Sequence, residues 1–131
     1  MRKYLISLFA ILGFGTAVAS ELTPNIDGNT KTINALLEAG SDPSKAHPLE
    51  YHFYCFSEEC IISIMNKGKL QGYQVANTGD NTYEGTKYWY GDLIKDTVLD
   101  LKIINQENVI MLKLAKEFRA DYDGWGTPVI K

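Results

Sequence analysis

Few side chains in this sequence are equipped for chemistry, and their spacing limits what they can do. His47 and His52 are the only histidines and Cys55 and Cys60 the only cysteines, so a Cys-His catalytic pair would have to come from these four. A thiolate attacks only while it is reduced, and oxidation of the two cysteines would remove it. A metal site built on His52, Cys55 and Cys60 would have irregularly spaced ligands and no fourth partner nearby, short of the tetrahedral set that structural zinc takes. Asp92 with Asp96, and Asp121 with Asp123, are separated by even steps, so each pair shares one face of a strand. Acid-base chemistry needs such pairs, but acids at this spacing more often form a solvated edge that resists aggregation. Gly124-Trp125-Gly126 lacks the basic partner and following helix of a phosphate loop. These residues point away from an enzyme, with no metal and no cofactor.

The elements that must position these residues follow from periodicity. Asn29 or Thr30 is placed to cap a short helix with Ile33, Leu36 and Leu37 on one face, and Gly40 is placed to end it. Across His47 to Phe56, Leu49, Tyr51 and Phe53 alternate with Glu50, His52 and Tyr54, the pattern of a strand with one buried face. His52 falls on the face opposite Leu49 and Phe53, where a surface role is the ordinary one. Ser57-Glu58-Glu59 opens a second helix, with Gly72 or the earlier Gly68 as its stop. Gly72 to Val75 begins a second strand, Asn77 to Asn81 is dense in turn formers, and a third strand runs from Tyr88 to about Leu99. Neither parity of that third strand is cleanly apolar, which predicts a bulge near Gly91. Asn105-Gln106-Glu107 is placed to cap a final helix with Val109, Met111, Leu112, Ala115 and Phe118 buried, and Tyr122 to Ile130 forms the last strand. A helix followed by two β-α-β units predicts an α+β ferredoxin-like sandwich: a four-stranded antiparallel sheet, two helices on one face, and an additional N-terminal helix.

The chain opens as an export signal reads. Arg2 and Lys3 precede an apolar run from Tyr4 to Val18, and Ala17-Val18-Ala19 offers a cleavage site before Ser20. The expected organisation is a signal peptide over residues 1–19, a tail over 20–31 and one domain over 32–131, with no membrane association after cleavage and a periplasmic or secreted location. Loss of Arg2 and Lys3 leaves 11 basic against 16 acidic residues, a net charge of −5, which argues against nucleic acid as the partner. In an oxidising compartment an even cysteine count favours a Cys55–Cys60 disulfide.

Several stretches in the same order carry a resemblance. Leu36-Leu37-Glu38-Ala39-Gly40-Ser41-Asp42-Pro43, Leu49-Glu50-Tyr51-His52-Phe53, Gly72-Tyr73-Gln74-Val75 and Leu114-Ala115-Lys116-Glu117-Phe118 lead into Tyr122-Asp123-Gly124-Trp125-Gly126-Thr127. Together, from Thr32 to Thr127, they resemble the RraB family, known as regulators that inhibit ribonuclease E. The resemblance implies a ferredoxin-like fold, no cofactor, and action by binding a protein. With the export signal it suggests an exported protein-binding inhibitor and, by extension from size and location, one of the immunity type in the periplasm. The alternatives are a cytosolic inhibitor of ribonuclease E and, third, a small periplasmic enzyme. Candidate contact residues are His52, Trp89, Tyr90, Tyr122, Asp123 and Trp125. Trp125 admits two roles, an anchor for a partner or a wedge closing one end of the core. Apolar bulk at Phe118 and Tyr122 favours the wedge.

Overall fold

The computed structural model describes residues 22–131, so the expected export signal lies outside the described residues. The elements are α1 (Ile26–Glu38), β1 (His47–Cys55), α2 (Glu58–Leu70), β2 (Gln74–Tyr83), β3 (Thr86–Thr97), α3 (Leu101–Phe118) and β4 (Asp121–Gly126). The strands form one antiparallel sheet in the order β2-β3-β1-β4. This is the α+β ferredoxin-like arrangement, with α2 and α3 against one face and α1 packed beside α3.

The core is built on the alternation of β1. Leu49, Tyr51, Phe53 and Cys55 point to the helices and are fully buried, against Ile64 of α2, Leu93 of β3 and Ile104 and Met111 of α3. Cys55 ends β1 and Cys60 lies in the first turn of α2, and the two are bonded across a Cα separation of 5.8 Å. The bond closes the corner where the strand hands over to the helix.

Helix ends depart from expectation where a better cap was available. Asn25, rather than Asn29 or Thr30, caps α1 by accepting from the Gly28 amide, because Asn29 is needed inside the core. Asp100, rather than Asn105, caps α3 by accepting from the Ile103 amide, so the helix starts earlier. Gly40 and Gly72 stop α1 and α2 as their positions suggest. Each has a positive φ, and the amide that follows returns to the carbonyl of the last turn: Ser41 to Leu36, Tyr73 to Gly68.

The hairpin also differs. β2 continues through the turn formers to Tyr83, and the reversal falls at Glu84-Gly85, both with positive φ, the conformation that suits a tight hairpin. The expected irregularity lies on the neighbouring strand. β3 pairs with β1 without interruption, whereas Asn77 and Thr78 of β2 together oppose Gly91.

Among the described residues one buried side-chain polar atom has no partner. The Tyr51 hydroxyl is buried without a hydrogen bond of good geometry, and the Thr97 hydroxyl beside it is turned to the Lys95 carbonyl at 3.3 Å. Burial pushes the Tyr51 phenol well above its usual range. Tyr51→Phe is expected to leave the unfolding free energy unchanged or raise it by up to about 1 kcal/mol, since it removes an unpaired group and little volume. Chemical denaturation of the two proteins side by side measures this.

Candidate functional site

One face of the sheet is covered by helices and the other is open. Strand register sorts the residues between them. On β1, Glu50, His52 and Tyr54 face away from the helices, and their partners on β3 are Ile94, Asp92 and Tyr90. Asp96, opposite Pro48, and Tyr88, in edge contact with the Tyr54 ring at 5.8 Å, share that face. Tyr88 in turn lies 6.2 Å from the Tyr90 ring. On β4, Asp121 stands opposite Tyr54, and Asp123 is close enough to act electrostatically on His52.

The open face therefore carries the carboxylates of Glu50, Asp92, Asp96, Asp121 and Asp123 beside a cluster of tyrosines. No lysine or arginine occupies a strand position on it. The two lysines within strands lie on the helix side, Lys95 with its Nζ 3.6 Å from Glu107 and Lys87 with its Nζ 5.2 Å from the Trp89 ring centre.

His52 sits at the middle of this face. Its Nδ1 is 2.8 Å from Asp92 Oδ1, and Asn77 donates to Asp92 Oδ2 at 2.7 Å. Asn77 reaches the carboxylate from the bulge of β2, at a positive φ that asparagine tolerates better than most residues. The hydrogen bond to Asp92 holds the imidazole above its usual range, with Glu50 and Asp123 adding to it against an opposing effect of burial. Glu50, His52 and Asp92 bring one ligand atom each to within 4.8 Å of one another, a group that could hold a small cation. Because the folded pKa of His52 is raised, the stability the pair contributes is present below about pH 6.5 and is lost as pH rises through the folded value. Asp92→Asn is expected to bring the His52 titration down towards that ordinary value and to abolish this part of the pH dependence. Imidazole chemical shifts across pH measure the first effect, and unfolding at several pH values measures the second.

His47 does something else. It is fully buried, with Nδ1 2.7 Å from the Lys45 carbonyl and Nε2 3.2 Å from Ser41 Oγ, which also accepts from the Ile130 amide at 3.0 Å. It ties the segment after β4 to the start of β1.

The remaining candidates separate across the sheet. His52, Tyr90 and Asp123 lie on the open face, while Trp89, Tyr122 and Trp125 lie on the helix side. Trp125 is half-buried and donates through Nε1 to Asn29 Oδ1 at 2.7 Å, and Asn29 donates to Asn105 Oδ1 at 2.8 Å. Tyr122 donates to Asn108 Oδ1 at 2.6 Å. These bonds join β4, α1 and α3, the geometry of a wedge. From sequence Asn29 is a helix-cap candidate and not a core residue, although its spacing with Ile33 and Leu36 places it on the buried stripe of α1. Glu50 and Tyr54 were legible as partners of His52 on one strand face, but their neighbours on β3 and β4 depend on strand pairing. The cysteines, bonded to one another, offer no thiol nucleophile.

Fold and site together define a ferredoxin-like α+β domain that buries Tyr51 and Phe53 beneath helices and presents an open, acidic, tyrosine-bearing sheet face on the other side. The chain belongs to the RraB family: the family model for "Regulator of ribonuclease activity B" matches residues 26–127. Similar proteins of that name include one from Pseudoalteromonas translucida, 32% identical over 96 residues that span 72% of this chain and 86% of the relative. Another, from Pseudoalteromonas atlantica, is 30% identical over 105 residues, 79% of this chain and 89% of the relative. A third, from Escherichia coli K12, is 29% identical over 96 residues, 72% and 70% of the respective chains.

Proposed function

We propose that this protein is an exported, non-enzymatic regulator that inhibits a protein partner by covering it with the open face of its sheet. The observation that carries the reading is the division of the sheet: one face is closed by helices, while the other carries charged and aromatic side chains, half-buried or exposed apart from Asp92, with no helix of the described residues packed over them. Tyrosine-bearing surfaces of this kind supply the anchors of protein interfaces. Membership of a family named for regulating ribonuclease activity supports a ribonuclease as the class of target. The basic start, apolar run and Ala-x-Ala site support export, and among the described residues no helix is long and apolar enough to cross a membrane. In the periplasm the inhibitor would act on a ribonuclease of that compartment, as an immunity protein acts on a delivered toxin.

A second reading, inhibition of ribonuclease E in the cytosol, is favoured by the extent of the family match over residues 26–127. Fractionation of the native cells with N-terminal sequencing separates the two. A form beginning at Ser20 outside the cytoplasm is the expected result. The unprocessed chain in the cytosol would replace the first reading by the second. In either compartment, purified protein that leaves the activity of every co-captured ribonuclease unchanged would remove the inhibitory role.

A further inference from the structure

We propose that the open sheet face receives an arginine-rich segment of the protein partner, its guanidinium groups paired with the carboxylates of Glu50, Asp96 and Asp123 and stacked on Tyr54, Tyr88 and Tyr90. The inference rests on the reading of this domain as a protein-binding regulator and adds the chemistry of what it binds.

Charge complementarity selects the occupant. The face gathers carboxylates from β1, β3 and β4, and among its described strand residues the one cationic-capable side chain, His52, is already turned to Asp92. A phosphate backbone would meet like charge everywhere on it, so a nucleic acid does not fit. A second copy presenting the same face would place acid against acid. An apolar helix would leave the carboxylates buried and unpaired, which is costly. A cationic segment satisfies them.

Arginine fits better than lysine for two reasons visible in the arrangement. The tyrosine rings form a cluster, Tyr54 to Tyr88 at 5.8 Å and Tyr88 to Tyr90 at 6.2 Å, and a planar guanidinium stacks on such rings as a compact ammonium does not. The rings border the row in which Asp123 of β4 flanks His52 of β1, so stacking on the tyrosines and bidentate pairing with the exposed Asp123 are available within one segment's reach. Asp92 is buried with one oxygen on His52 and the other on Asn77, so the carboxylates left to a partner are those of Glu50, Asp96 and Asp123 around that pair.

The test titrates the purified protein with an arginine-rich peptide, the same peptide with every arginine replaced by lysine, an acidic peptide, and single-stranded RNA, following backbone amide shifts by NMR. The expected result is saturable binding of the arginine peptide, weakened by salt, with shifts concentrated at Glu50, His52, Tyr54 and Asp92. The lysine peptide should bind several-fold more weakly and the acidic peptide and RNA not at all. The double variant Asp96→Asn with Asp123→Asn, both at exposed positions, should lose about tenfold in affinity, whereas Lys113→Gln with Lys116→Gln on α3 should not. Equal binding of arginine and acidic peptides, binding of RNA in preference, or shifts confined to the helices would overturn the proposal. Capture of the native partner with wild-type and double-variant bait keeps this separate from the underlying reading. A partner held equally by both baits overturns the arginine-binding face and leaves the regulator standing, while a protein that captures no partner and binds no peptide overturns both.

Discussion

Replacing Trp125 by Ala is expected to lower the unfolding free energy by about 3–4 kcal/mol, the largest effect of any single change in the terminal motif. Two losses combine. The indole packs against the core from β4, and removing a half-buried tryptophan forfeits most of its contacts and leaves a gap that α1 can only partly fill. Its Nε1 also satisfies Asn29 Oδ1 at 2.7 Å, and Asn29 is only 4% exposed, so its carbonyl would be left buried and unpaired. Trp125→Phe separates the two contributions: it keeps much of the bulk, loses the hydrogen bond, and should cost about 1–2 kcal/mol. Urea unfolding of the three proteins, with midpoints compared at constant slope, provides the measurement. An Ala variant within about 1 kcal/mol of the native protein would show that the indole is not the wedge joining α1 to the sheet.

Gly68→Val should be nearly as damaging, by about 3 kcal/mol, although it replaces a poor helix former with a better one. Gly68 lies inside α2 where the helix crosses the sheet, and a Cβ there would stand 2.4 Å from Leu93 Cδ2. Leu93 is itself fully buried, so it has no solvent to move into, and the helix must lift from β3. Helix propensity returns only a few tenths of a kcal/mol. Combining Gly68→Val with Leu93→Ala should recover at least about 1 kcal/mol relative to the sum of the single changes, because the added methyls occupy the space the leucine leaves. Simple additivity would mean that the two sites do not touch.

The same glycine shows where reading a sequence stops. Gly68 and Gly72 both stand as stops for α2, and nothing local distinguishes them. The helix runs on through Gly68 because the glycine allows close approach to β3, and it ends at Gly72, whose positive φ lets the Tyr73 amide return to the Gly68 carbonyl. The N-terminal caps of α1 and α3 divide in the same way. Asn29 and Asn105 are good capping residues by type, but each is bonded to the other between the helices, and Asn25 and Asp100 take the caps. Capping chemistry is local and so is legible, whereas the competition for a particular asparagine is settled by what packs against it.

The sequence by itself determined the periods. Alternation over β1 assigned Leu49, Tyr51 and Phe53 to the core and Glu50, His52 and Tyr54 to the other side, and the order of helical and alternating stretches was enough for the ferredoxin-like arrangement, because period is a property of neighbouring residues. The Cys55–Cys60 bond was expected from an even cysteine count in an oxidising compartment, and the structure holds it. Only the tertiary structure decided which face each aromatic of the last strand occupies. Tyr122 and Trp125 have opposite parity, yet both point to the helices, because β4 slips register opposite His52, with Gly124 at a positive φ. That bulge turns Trp125 inward and leaves Asp123 outward beside His52. A single inserted residue reverses the facing of everything beyond it, and pairing between strands distant in sequence is what accommodates it. The acidic face was assembled in the same way, from carboxylates on three strands that no spacing along the chain connects.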